Sequence, residues 1–245
     1  MSDENIGRVF VRDTGKKTLV IIPAYNEAEN IEKTVKDIIE NAPECDFLVI
    51  NDCSADDTEK ICKDKGFDVL SLPVNLGIGG AVQTGYRYAA KHGYGRALQF
   101  DGDGQHPACY IARLSECMDE DGTIDMVIGS RFIEKDGFQS SKLRRFGIGY
   151  FTKLIKLLTG VKITDPTSGM RLVNRRLIEL FAGDYPRDYP EPDSEVAILR
   201  KGYKVREVPV EMRERGGGKS SISIKAGFYY MIKVSFAIFN AWFSH

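Results

Sequence analysis

Apolar residues come in short unbroken runs through the first half of the chain, and each run is followed by a segment whose apolar positions recur at helical spacing. TLVIIP (18–23) is continuous rather than alternating, as expected of a parallel strand covered on both faces. The next stretch, NEAENIEKTVKDIIENA (26–42), brings Ile31, Val35 and Ile38 onto one helical face. The rhythm then repeats, with FLVIND (47–52), FDVLSL (67–72) and RALQF (96–100) as strands and helices through DDTEKICKDKG and GGAVQTGYRYAAKHG. DMVIGS (125–130) closes the regular part, after which segments lengthen and become more basic. This alternation predicts an α/β fold, a doubly wound, mostly parallel sheet with helices on both faces. We divide the chain into a polar extension (1–17), one sheet domain (18–222) and an apolar C-terminal helix (223–245), with no internal repeat.

Ligands of open sheets bind beyond the carboxyl ends of the strands, and the polar clusters fall there. PAYNE (23–27), NDCSADDT (51–58) and DGDGQHP (101–107) bring Glu27, Asp52, Asp101 and Asp103 toward one rim. Asn26 and Asp56 also suit the simpler role of helix caps. Asp101 and Asp103 are separated by a single glycine, and two carboxylates that close resist desolvation unless a cation lies between them. The surrounding glycines leave oxygen ligands exposed, as a divalent metal bound to a diphosphate requires. His106, backed by Pro107, reads as a solvated or capping residue ahead of a metal ligand.

Composition narrows the classes. Thirty-four basic against 35 acidic side chains give a net charge of −1, so no basic field points to nucleic acid. Five cysteines at 45, 53, 62, 109 and 117 are odd in number and contain no C-x-x-C pair, against a disulfide framework or zinc ribbon and in keeping with a reducing cytosol. The polar opening MSDENIGRVFVRDTGKK has no apolar h-region, and no signal peptide is expected there.

VIIPAYNE, INDCSADDT, LGIGGAVQTGYRYA and DGDGQHP, in that order, resemble family-two glycosyltransferases of the GT-A fold. The likeness is strongest to the branch of dolichyl-phosphate mannose synthase and bacterial polyprenyl-phosphate glycosyltransferases, and runs from about residue 18 to about residue 221. It implies a donor site in which Pro23, Tyr25, Glu27 and Asp52 frame the base and ribose. Asp101, Gly102 and Asp103 would lie at the diphosphate, and Asp101, Asp103 and Gln105 would hold Mg²⁺ or Mn²⁺ there. Asn51 stands where many members carry an aspartate, a departure that bears on base preference.

The second half bears on the acceptor. SSKLRRFGIGYFTKLIKLLTG (140–160) spaces Leu143, Phe146, Tyr150, Leu154 and Leu157 among five basic residues, the pattern either of a helix on an anionic surface or of one packed on the sheet with a charged outer face. The resemblance implies that Arg131, with Arg144 or Arg145, faces a lipid phosphate. In DPTSGMRL (165–172), Asp165 and Ser168 are candidates to position sugar or acceptor, unless the stretch is only a turn with Gly169 at a special backbone angle. Arg215 and Lys219, in the glycine-rich VPVEMRERGGGKSSI (208–222), are candidates for phosphate. The tail, 224–245, suits an interfacial helix or a dimer contact, and relatives that continue into membrane spans do so here.

A phosphate monoester acceptor has already lost its proton, with a pKa of about 6; a hydroxyl acceptor needs a base, for which Asp193 is the first candidate and Glu191 the second. The implied reading is a metal-dependent, inverting enzyme moving a hexose from a UDP- or GDP-sugar to polyprenyl phosphate, with Asp103, Arg131 and Asp193 as catalytic candidates. It would sit in the cytoplasm, peripheral on the inner face of a membrane, alone, as a homo-oligomer or with a membrane subunit. Transfer to a saccharide hydroxyl and a non-catalytic nucleotide-sugar sensor are the alternatives.

Overall fold

The structure is a computed structural model that describes residues 17–134, 142–188, 190–213, 231–236, 238–239 and 242, without the side chains of 142–144. Its first strand, β1 (Thr18–Ala24), is buried along its whole length. Leu19 and Ile21 enter one apolar layer and Val20 and Ile22 the other, so an unbroken apolar run is what two covered faces demand. Around it come α1 (Ile31–Asn41), β2 (Asp46–Asn51), α2 (Thr58–Asp64), β3 (Val69–Ser71), α3 (Gly77–Lys91) and β4 (Arg96–Gln99). The chain continues through α4 (Tyr110–Glu120), β5 (Met126–Ser130), α5 (Lys142–Thr159), β6 (Arg171–Asn174), α6 (Arg175–Gly183), α7 (Pro190–Arg200) and β7 (Val205–Pro209).

The seven strands form one sheet in the order β3-β2-β1-β4-β6-β5-β7. It is parallel except for β6, which runs antiparallel to both neighbours, pairing Gln99 with Arg171 and Met126 with Val173. β6 is too short to show a period, and its first residue is a buried arginine; those two features hide it in the sequence. Asn174 ends the strand and caps α6 at once, its side chain accepting from the Leu177 amide.

Two helices differ from their sequence patterns. α1 starts at Ile31 rather than 26, because Asn26 is left-handed (φ 56°) and a helix cannot run through that conformation. Asn26 instead braces two loops, its amide donating to Ser54 Oγ (3.0 Å) and its side-chain oxygen accepting from the Ala55 amide (2.8 Å). In α5 the core face is Ile148, Phe151, Leu154 and Ile155, whereas Phe146, Tyr150 and Leu157 point outward. Helical residues 231–236 and 238–239 pack beside it, burying Val234 and Ile238 in the same core.

Candidate active site

The carboxyl ends of β1, β2 and β4 open into a cleft of about 670 Å³ lined by Pro23, Tyr25, Glu27, Asp52, Asp101, Gly102, Asp103 and Glu191, among others. Tyr25 stands at the mouth, 52% exposed. Glu27 accepts from Asn30 Nδ2 (2.8 Å), and its amide donates to Thr58 Oγ1 (2.9 Å). Asp52 is buried, with Oδ1 accepting from the Leu76 amide (2.7 Å) and Oδ2 from the Gly77 amide (2.9 Å). It thereby holds the N-terminus of α3 against the cleft from another strand, a charge-assisted cap on the positive end of the helix dipole. Asn51 does not reach the cleft: its side chain donates to Ser71 Oγ and accepts from the Ser54 amide. Both ends of that amide are engaged within the frame, which removes the ground for linking it to base preference.

The acidic doublet is shaped from an unexpected direction. A Cβ built on Gly169 would lie 2.1 Å from Asp101 Oδ2 and 2.5 Å from its Oδ1. Gly169 is absent from the residues with positive φ, so contact with this carboxylate, not a special backbone angle, calls for glycine there. Burial, then the like charge of Glu191, push the Asp101 carboxyl up to about 6. Asp103 Oδ1 accepts from the Gln105 amide (3.0 Å). The Gln105 side chain turns away, its Nε2 donating to the Arg213 carbonyl (3.5 Å), and it does not line the cleft.

His106 is neither solvated nor a cap. It is 2% exposed in its side chain, beneath Phe100, with Nε2 3.9 Å from Asp101 Oδ2. Burial and then Arg131 bring its pKa down to about 4, which keeps the imidazole neutral; Nδ1 has no hydrogen-bond partner among the described residues.

Of the two carboxylates considered as a base, Glu191 lies in the cleft wall and Asp193 does not. Glu191 Oε1 accepts from Gln99 Nε2 (3.2 Å), and Gln99 in turn accepts from the Tyr185 hydroxyl (3.2 Å). The fully buried Arg171 grips the Glu191 carbonyl (3.0 Å) and pairs with Glu195 (2.6 Å). Asp193 is instead influenced by burial and then by Asp184, which raise it to about 6. Gln99 and Arg171 were missed in the sequence; a glutamine inside an apolar strand run is the signal that marks the first of them.

Arg131 is buried in a two-pronged pair with Asp165, Nη2 to Oδ1 at 2.6 Å, and also donates to Thr167 Oγ1 (3.0 Å). Burial works against the Arg131 charge, Asp165 restores it, and Asp101 and Asp103 add to that effect, so its guanidinium also faces the field of the doublet. Asp165 and Ser168 are built into the frame, Asp165 through its amide to Glu207 (2.9 Å) and Ser168 through its hydroxyl to the Gly129 carbonyl (2.6 Å). Both are fully buried, which leaves neither side chain open to sugar or acceptor. Arg145 is exposed on a separate groove. The Arg144 side chain, Arg215 and Lys219 lie outside the described residues.

Among the described residues no group of three or more His, Cys, Asp and Glu side chains is spaced to hold a metal by itself. The cleft wall nonetheless carries five carboxylates, Glu27, Asp52, Asp101, Asp103 and Glu191, and no lysine, arginine or histidine. Arg131 and Arg171 are each committed to a buried acid, Asp165 and Glu195 respectively. Such a wall fits a cation whose remaining ligands come from a bound anion and water.

A mixed seven-stranded sheet with an acid-lined cleft at its carboxyl rim is the architecture of a GT-A glycosyltransferase. The fold matches that of glucosyl-3-phosphoglycerate synthase from Mycobacterium tuberculosis, solved with Mn²⁺, UDP-glucose and phosphoglyceric acid, at a TM-score of 0.74 and 18% identity over 93% of this chain and 80% of that one. Residues 19–181 match the family described as glycosyl transferase family 2, and the chain belongs to that family. It is 31% identical to the undecaprenyl-phosphate mannosyltransferase of Micrococcus luteus, over 84% of this chain and 88% of that protein. It is 30% identical to the polyprenol monophosphomannose synthase of Mycolicibacterium smegmatis, over 87% of this chain and 83% of that protein.

Proposed function

We propose that this glycosyltransferase moves a hexose from a nucleotide sugar to a polyprenyl phosphate, with inversion, at the cytoplasmic face of a membrane. The observation that carries this reading is the wall of five carboxylates without a basic side chain, in a chain related over most of its length to two enzymes named for polyprenyl-phosphate glycosylation. Asp101 and Asp103 would hold Mg²⁺ or Mn²⁺, which when bound offsets the charge that develops on the departing nucleoside diphosphate. Tyr25 offers an exposed ring for stacking on the base, and Asp52 keeps the N-terminal amides of α3 aimed at the cleft. Glu191, held by Gln99, accepts hydrogen bonds from sugar hydroxyls. Arg131 is a positioning and electrostatic residue: fixed by Asp165, it keeps positive charge beside the doublet and the incoming phosphate. A phosphate nucleophile needs no base.

A second reading, transfer to a hydroxyl, draws on Glu191 alone, a carboxylate in the cleft able to take a proton. The test is transfer of radiolabelled sugar from a panel of UDP- and GDP-sugars to polyprenyl phosphate in detergent, with Mn²⁺ or Mg²⁺. Label extracted into organic solvent, and lost on chelation, is the expected result. Nucleotide release driven only by added saccharides would replace this reading with the second.

A further inference from the structure

Away from the cleft, α5 and the segment after it enclose a groove of about 480 Å³ lined by Arg145, Lys153, Lys156, Lys162, Phe132 and Ile148, among others. All four cations are exposed, the lining contains no acid, and none of the four forms an ion pair among the described residues. Four cations around one groove whose lining holds no acid repel each other, an arrangement that an anionic partner relieves.

The neighbouring face of α5 is apolar where it should be polar. Phe146 is 69% and Leu157 80% exposed, each next in sequence to a groove cation, Arg145 and Lys156, on a helix whose opposite face is already in the core. The C-terminal helical segment extends this ridge: Tyr150 shares a hydrogen bond with Ser235 (3.1 Å), and Phe236 beside it is 72% exposed. A cationic stripe bordering an aromatic and aliphatic ridge is the surface of a helix pair lying in a bilayer interface, cations at the headgroups and rings among the upper acyl carbons. Among the described residues no helix is long and apolar enough to cross a membrane.

We infer that this groove and ridge form a docking surface for anionic phospholipid, with Lys153, Lys156 and Lys162 at the lipid phosphates and Phe146, Leu157 and Phe236 in the bilayer. Thr164, which lines the groove, precedes Asp165, the partner of Arg131, so the groove adjoins the segment that fixes this arginine. As proposed, it takes bulk headgroups and needs neither donor nor polyprenyl phosphate. It therefore goes beyond the proposed activity, and its test is independent of it.

The test is flotation of the full chain with vesicles of phosphatidylcholine alone and of phosphatidylcholine with phosphatidylglycerol, no donor or acceptor present. Binding is expected on the anionic vesicles only, and to weaken as salt rises. K153Q/K156Q/K162Q should weaken it on the order of 100-fold, at about fivefold per lysine, with an unchanged circular dichroism spectrum and unchanged nucleotide-sugar binding. F146S/L157S should abolish the part of binding that survives high salt. Equal binding to both vesicle types, parent-like binding by the triple lysine variant, or binding only when polyprenyl phosphate is added would overturn the inference. So would a concentration-dependent dimer, lost in F146S/L157S, with no vesicle binding.

Discussion

Replacing Gly169 by alanine separates two reasons for a glycine. The new methyl would sit 2.1 Å from Asp101 Oδ2, against an ordinary carbon–oxygen contact of about 3.3 Å. Backbone strain plays no part, since Gly169 does not have a positive φ. The aspartate is too short to swing clear, so its carboxylate must retreat by roughly 1 Å from its place opposite Asp103. Overpacking of this order costs about 1–3 kcal/mol, or roughly 3–9 °C in Tm for a chain of this size. A displacement of about 1 Å at a reacting centre costs on the order of 100-fold in rate. The assays are sugar transfer, Mn²⁺ affinity by calorimetry and thermal unfolding, with Gly160→Ala as control. Gly160 has φ 76° and nothing within 4 Å of a built Cβ, so its variant should lose stability and keep Mn²⁺ affinity. Parent-like Mn²⁺ affinity and transfer in G169A would refute the close-approach reasoning outright.

Other substitutions test the remaining parts of the site. Because burial and Glu191 raise Asp101 to about 6, the folded protein keeps a proton that the unfolded chain, with its aspartate near about 3.9, has lost. That contribution is fully present at low pH and disappears as pH rises through about 4 to 6, so D101N should flatten the fall in urea midpoint across this window. Divalent-metal affinity of the parent should drop below the same upper pKa. E191Q should lose transfer by on the order of 100-fold, whereas D193N, outside the cleft, should keep it and become more stable above its raised pKa, as kinetics and melting would show. R131M strands Asp165 in the interior and should cost about 3–5 kcal/mol in chemical denaturation; an unchanged midpoint would mean that water reaches the carboxylate.

The framework was legible because continuous apolar runs have one economical explanation, strands covered on both faces, and the polar clusters then had to fall at one rim. Thus Asp52, Asp101, Asp103 and Glu27 could be placed together without coordinates, and they line one cleft. What could not be read was orientation within helices and contacts across the chain. The helical period places Phe146, Tyr150 and Leu157 on a common face of α5, but the sheet takes the adjoining face with Ile148, Phe151 and Ile155; periodicity alone cannot choose between two apolar faces. Asp193 and Glu191 differ by two positions on α7, enough to send one side chain to the cleft and the other toward Asp184.

The segment between α5 and β6 explains why the chemistry is spread so unevenly along the chain. Thr164 lines the cationic groove, Asp165 fixes Arg131, Ser168 ties to the Gly129 carbonyl, and Gly169 seats the Asp101 carboxylate. β6 follows directly and runs against its neighbours, which carries these residues back over the carboxyl rim, where a parallel strand would have been entered from the opposite end. One antiparallel strand thus lets a short polar stretch touch both the cleft acids and the cationic groove. A change in that segment reaches both sides, so on the proposed readings its variants are expected to weaken metal affinity and vesicle binding together.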